Sequence, residues 1–206
     1  RPCSRTAERR HVRKWKRVQT PEGPRFRSAV EPHESALLHN MAGWVMGMLD
    51  DRESSSPRDE LEEITCLRTG HSQPPTDATM SRLLPDFLRV QSPHPAGSGT
   101  AESVNGALRS LHEPTIIAAK REAAQRLLGT CPVGGGRIEL TEADANAWLT
   151  AVNDIRLALG TMLGIEPDGP HRLPSGHPLA GHLDVYQWLT VLQEYLVLAL
   201  MGKPVR

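Results

Sequence analysis

No stretch of this sequence stays apolar for the roughly 18 to 20 residues that a membrane-spanning helix needs. Its most apolar segment is interrupted by His182, Asp184, Gln187, Gln193 and Glu194, which excludes a transmembrane anchor. The arginine-rich N-terminal stretch lacks the apolar run of a secretory signal, so a cytoplasmic, reducing location without membrane contact is expected. In such a compartment the three cysteines start out as thiols.

Catalytic signatures are missing as well. Gly134-Gly135-Gly136 is followed by Arg137 rather than by the Gly-Lys-Ser/Thr ending of a phosphate-binding loop. Neither a G-x-S-x-G nucleophile elbow nor an H-E-x-x-H zinc helix occurs. Glu60, Glu62 and Glu63 crowd one short helix, a pattern that belongs to a solvated face far more often than to paired catalytic carboxylates. The nine His are scattered and no two cysteines form C-x-x-C, so neither a metal nor any other cofactor is expected. Together these absences point away from an enzyme.

What is present is one domain's worth of chain. With 206 residues, 38% of them apolar, a single core and some irregular length are expected, and 17 Pro and 17 Gly call for long connections. The fold class expected is mainly α: a single helical domain over residues 12–206, with a small antiparallel sheet and long irregular loops, preceded by a flexible basic arm over residues 1–11. Val12, Trp15 and Val18, then Thr20-Pro21-Glu22-Gly23-Pro24 and Phe26 to Val30, read as a hairpin. From Glu31 the period becomes helical, with Leu37, Leu38, Met41, Val45, Met48 and Leu49 on one face as far as Asp50. Ser56-Pro57-Arg58-Asp59 opens a short acidic helix reaching Cys66, and Leu83, Leu84, Phe87 and Leu88 mark a brief amphipathic turn.

Residues 91–100 have nothing to bury and are expected to be a mobile loop. Two helices follow, at 102–112 and from Pro114 to Gly129, then a third strand at 137–140. Thr141 and Asp144 cap the next helix, whose Trp148, Val152, Ile155 and Leu159 share a face. After a Pro/Gly loop over 165–181, a last helix at about 182–201 is apolar on nearly every side, as for a helix enclosed between others. The strand and helix around Glu31 resemble those around Glu142, and two such units meeting at one small sheet would place Cys131 near the arm.

Charge is distributed unevenly. Residues 1–27 carry ten Lys and Arg against two Glu, while the remainder is acidic by a matching amount. Within this stretch Arg9, Arg10, Arg13, Lys14, Lys16 and Arg17, with Trp15 among them, could contact phosphates or an acidic partner. No helix of the body is basic in the manner of a recognition helix, so direct DNA binding ranks below protein contact. Thiol reactivity follows the thiolate fraction, which positive neighbours raise. Cys3, between Arg1 and Arg5, is the favoured anion, and Cys66 is disfavoured by Glu62 and Glu63 and by a helix C-terminus. Cys131 precedes Pro132 in a loop expected to be accessible, where it could serve as a resolving thiol.

Trp15-Lys16-Arg17-Val18, Gly23-Pro24-Arg25-Phe26, Leu49-Asp50-Asp51-Arg52, Asp59-Glu60-Leu61-Glu62-Glu63-Ile64, Leu83-Leu84-Pro85-Asp86-Phe87, Ser110-Leu111-His112 and Trp188-Leu189-Thr190-Val191-Leu192-Gln193-Glu194 recur in one known family. Across residues 13–203 the chain resembles an actinobacterial family long described as a domain of unknown function. Its members are commonly encoded beside the ClpS adaptor, and they include an oxidative-stress transcription regulator. The resemblance implies a redox-sensing transcription regulator in which oxidation forms an intramolecular disulfide. The oxidised form then engages an alternative sigma factor or RNA polymerase, raising cysteine-biosynthesis and antioxidant gene expression. It does not assign the bridge. Charge and strand proximity favour Cys3 with Cys131, with Cys66 as second choice for the partner of Cys3. Promoter DNA contact through the arm and a homodimer stay open, as does a non-redox interaction or adaptor module without catalytic activity.

Overall fold

A computed structural model describes residues 13–56, 69–88, 95–165 and 179–203, the first four residues of the helix at 95 by backbone alone. The expected helix at 57–66, the arm up to residue 11, Val12 and the greater part of the 165–181 loop lie outside the described residues.

The hairpin forms where the Pro/Gly turn places it. β1 (Lys16–Thr20) and β2 (Gly23–Val30) pair antiparallel in a register that runs from Lys16 opposite Arg27 to Thr20 opposite Gly23. Only Pro21 and Glu22 remain in the loop, and Gly23 supplies the φ of +107° that so tight a reversal needs. Strand alternation sends Phe26 and Val30 into the core and leaves Arg27 outside. β3 (Gly136–Leu140) adds antiparallel to the other side of β2, completing a sheet of order β1-β2-β3.

β2 and β3 each feed a helix. β2 runs into α1 (Pro32–Ser54), where the Glu31 N–H donates to Glu34 Oε2 at 2.7 Å. β3 runs into α4 (Glu142–Met162), where Thr141 and Asp144 close a reciprocal capping box. The two similar units do meet at one sheet. Their helices bury Leu38, Val45 and Leu49 from α1 and Trp148, Val152, Ile155 and Leu159 from α4, each contributing about 1.5–3 kcal/mol on burial. A short helix, α2 (Ala78–Leu83), starts where the Asp77 side chain accepts the Met80 N–H at 2.8 Å, and it packs against α4.

The second half departs from expectation in three places. The helices expected at 102–112 and 114–129 are one helix, α3 (Pro95–Thr130). Pro114 has no N–H for the Ser110 carbonyl four residues back, but the Gly70 N–H from a distant loop donates to that carbonyl at 2.7 Å. The helix therefore passes through its proline without leaving an acceptor orphaned. That helix also begins at Pro95, inside the stretch expected to be loop; its segment from Val104 onward is held by Asn105, which donates to Leu88 O and accepts from Leu88 N. Finally α5 (Ala180–Leu200) is not enclosed. It packs chiefly on α4, reaches α1 through the Trp188 indole on Glu34 at 3.0 Å, and leaves Val197 and Met201 exposed. No helix among the described residues is long and apolar enough to cross a membrane.

Candidate functional site

The end of α3 holds one of the cysteines that the sequence marked for chemistry, Cys131. Cys131 N donates to Leu127 O at 2.9 Å, closing the helix's last turn, and the side chain turns inward, where it is 3% exposed. The thiol faces Ser35 of α1, with Sγ 3.9 Å from Ser35 Oγ, and that hydroxyl donates to Pro132 O at 2.6 Å. Burial pushes the thiol pKa up, because a thiolate would be stripped of water there, and the Ser35 hydrogen bond offsets only part of this.

The expectation of an accessible Cys131 loop is therefore overturned. The reason is a close backbone approach: Gly135, at φ +84°, lies where a Cβ would stand 2.7 Å from Pro32 N and 2.8 Å from Glu31 C. The glycine turn, which follows Cys131 directly in the chain, thereby closes over the start of α1, where Ser35 faces the thiol. A protonated, covered thiol is a poor first target for an oxidant but can still act second, once a partner sulfur reaches it. Cys3 and Cys66, the other redox candidates, lie outside the described residues, as do Arg9 and Arg10.

The root of the basic segment is not free. Trp15 is 4% exposed, and its ring meets that of Trp148 edge-on with centroids 5.6 Å apart. The Trp148 indole donates to Thr130 Oγ1 at 2.7 Å, next to Cys131. Trp15 is thus a core residue, unavailable for stacking on a base. The basic side chains around it diverge. Arg13 pairs with Glu31, Lys14 and Lys16 are exposed, and Arg17 lies beside Gly202 just past the end of α5. Antiparallel pairing puts Lys16, Arg25 and Arg27 on the outer face of the sheet, where Glu139 takes Arg27 Nε at 2.6 Å. Among the described residues, Lys16 and Arg17 alternate to opposite faces of β1.

Sequence reasoning passed over one more cluster. Arg109 and Glu113, one turn apart on α3, are each 2% exposed and joined at 2.8 Å. Arg52 also binds Glu113, and Asp86 also binds Arg109, both at 2.8 Å. The i, i+4 spacing of opposite charges was the available signal, but it reads equally as a surface pair. No group of three His, Cys, Asp or Glu that could hold a metal occurs among the described residues.

Residues 12–200 match the family model described as "Domain of unknown function (DUF2017)". The chain is 64% identical to the proteins named "Oxidative stress regulator AosR" of Mycobacterium bovis and Mycobacterium tuberculosis, over 98% of its own length and 96% of theirs. A Mycobacterium leprae relative is 60% identical over 98% of this chain and 97% of its own. No solved structure matches the chain.

Proposed function

We propose that this chain, which belongs to the DUF2017 family, is a non-catalytic regulator of the oxidative-stress response that is switched by an intramolecular disulfide and acts by contacting the transcription machinery. The observation that carries the reading is the packing of Trp15 on Trp148 beside the Thr130–Cys131 end of α3. It roots the basic arm next to a covered thiol. Cys3 lies twelve positions before Trp15, a tether of up to about 40 Å when extended. Cys3, flanked by Arg1 and Arg5, carries the thiolate-favouring environment that Cys131 lacks.

The chemistry then runs in two steps. Peroxide oxidises the Cys3 thiolate to a sulfenic acid and leaves as hydroxide. Cys131, uncovered by opening of the glycine turn, attacks that sulfur; the S–S bond forms as the S–O bond of the sulfenic acid breaks, and the hydroxyl leaves as water with the proton of the Cys131 thiol. Cys66 is a poorer match for Cys131. Gly70 is hydrogen-bonded at the level of Ser110, 21 residues or about 30 Å of helix from Cys131. Four residues of chain from Gly70 back to Cys66 span at most about 14 Å, which leaves the two sulfurs too far apart while α3 stands. Cys3 with Cys66 stays as the second pairing.

Closure of the arm onto the body changes which basic groups face solvent, and that change is what a sigma factor or RNA polymerase would read. The names of the mycobacterial relatives support the oxidative-stress setting. The burial of Cys131 favours a second reading, in which the thiol is a core residue and the chain is a redox-independent contact module. Binding of peroxide-treated and reduced full-length chain to RNA polymerase, with and without an alternative sigma factor, separates the two. The switch predicts tighter binding by the oxidised chain and no difference once Cys3, Cys66 and Cys131 are all serine. Equal binding in every case leaves only the module.

A further inference from the structure

The inner face of the sheet sends Phe26, Val30, Ile138 and Leu140 into the core. Its outer face is basic. The register sets Lys16 opposite Arg27 and Arg27 opposite Glu139, with Val18 opposite Arg25 in the row on one side and Ala29 opposite Arg137 in the row on the other. Residues directly opposite share a face, so Lys16, Arg25, Arg27 and Arg137 all stand on the outer one.

Two carboxylates answer these four cations. Glu139 takes Arg27 Nε at 2.6 Å and lies 4.0 Å from Arg25 Nε, and Glu22 takes Arg25 Nη2 at 2.6 Å. Lys16 and Arg137, both exposed, form no ion pair among the described residues. Lys16 also faces Arg27 as a like charge directly across the strands, an arrangement that weakens the pairing of β1 with β2. The face therefore holds an excess of two positive charges at a cost to its own strands.

We propose that the outer face of the β1-β2-β3 sheet is a docking surface for an extended, acidic segment of a partner protein, with carboxylates of that segment meeting Lys16 and Arg137. Charge complementarity selects an acidic occupant, and two features select a peptide over a nucleic acid. Duplex DNA carries one charge per roughly 1.7 Å of its length, and such an unbroken polyanion would run against Glu22 and Glu139 as well as the cations. A segment with acids at alternate positions carries a charge only about every 6.8 Å, the spacing of same-face residues along a strand. It can set uncharged side chains against Glu139. The second feature is the lack of a stacking platform: Trp15 and Phe26 both point inward, and the outward residues named above include no aromatic ring for a base. The inference rests on the reading of the chain as a protein-contacting regulator, and it gives that contact a place distinct from the thiol.

Titration of the isotope-labelled full-length chain with a seven-residue peptide alternating Glu and Thr, followed by NMR at about 50 mM salt, tests the surface. The experiment is run with Cys3, Cys66 and Cys131 all replaced by serine, so that it reads the face alone. Saturable shifts are expected along β1, β2 and β3. Lys16→Thr with Arg137→Thr removes two exposed ion pairs to the peptide and should weaken binding roughly 2- to 30-fold. The urea midpoint should not fall, since the pair of changes relieves the Lys16–Arg27 repulsion. Lys16→Arg with Arg137→Lys keeps the charges and should keep the affinity.

Absence of saturable shifts would leave Lys16 and Arg137 as guards of the sheet's two edges and overturn the proposal. A lower urea midpoint in the threonine variant would overturn it too, because the cations would then serve the sheet itself. So would a loss of binding in Arg9→Ala, Arg10→Ala with none in the threonine variant, which would place the peptide on the arm. Tighter peptide binding after Glu60, Glu62 and Glu63 are changed to alanine would show the chain's own acidic stretch competing for the face, against an outside partner. If the threonine variant weakens a short duplex DNA more than it weakens the peptide, the face serves phosphates and the assignment falls. The disulfide switch is read from the cysteine variants, and its failure leaves the surface intact.

Discussion

Replacing Gly135 by alanine should expose Cys131. The glycine adopts φ +84°, a left-handed conformation that costs an L residue about 1–2 kcal/mol. The new Cβ would also meet Pro32 N at 2.7 Å, Glu31 C at 2.8 Å and Val30 O at 3.0 Å. All three are backbone atoms, held by the start of α1 and by the pairing of β2 with β3, so they cannot step aside the way a flexible side chain would. Overpacking of this kind adds about 1–3 kcal/mol, for a total of roughly 2–4 kcal/mol once partial relaxation is allowed. Relief comes when the glycine turn lifts from the β2–α1 junction, the same movement that uncovers the thiol.

Gly134 provides the control. It too has a positive φ, +81°, but an added Cβ there meets nothing within 4 Å, so Gly134→Ala carries only the backbone penalty of about 1–2 kcal/mol. Labelling of Cys131 by a thiol reagent, measured in a Cys3→Ser, Cys66→Ser background, reads the opening equilibrium. Because each 1.4 kcal/mol is a factor of ten, Gly135→Ala should speed labelling roughly 30- to 700-fold and Gly134→Ala only about 5- to 30-fold. Equal rates for the two variants would refute the account of how the thiol is covered.

Three further outcomes follow from the packing. Gly70→Ala places a Cβ 2.9 Å from the Pro114 ring and should lower the urea midpoint, whereas the same change in a Pro114→Ala background should do so by about 1 kcal/mol less; strict additivity would deny that the loop seals the proline notch. Glu113→Ala removes the carboxylate shared by Arg52 and the buried Arg109, and should cost about 3–5 kcal/mol in chemical denaturation. Cys131 has a folded pKa raised above its ordinary value near 9.0, so its contribution is present below that pH and is lost as pH rises through the raised value. The alkaline decline in stability above about pH 9 should be shallower in Cys131→Ala than in the parent chain, and identical slopes would argue against the buried, protonated thiol.

The parts of the fold that local chemistry decides were legible in the sequence. The Pro21-Glu22 turn before Gly23, the Thr141–Asp144 cap, and the spacing of Trp148, Val152, Ile155 and Leu159 each specify their element without help from afar. Distant partners decided the rest. Pro114 looks like a helix boundary until Gly70 supplies a hydrogen for Ser110 O. Cys131 looks exposed because it follows a helix and precedes a proline, yet Ser35 and the Gly135 turn, which meet at one end of the β2–β3 pair, enclose it. Trp15 sits among basic residues and is drawn inward by Trp148, 133 positions away. The ion network around Arg109 needs α1, α3 and the segment after α2 together, and no window of sequence holds all three.

The central claim is tested most directly by peptide mapping of the full-length chain after peroxide treatment, with unreacted thiols blocked and disulfides kept intact. A linked pair of peptides containing Cys3 and Cys131, formed within one chain and absent from the reduced control, is the result predicted. No intramolecular bridge, or a bridge joining Cys66 to Cys131, would contradict it.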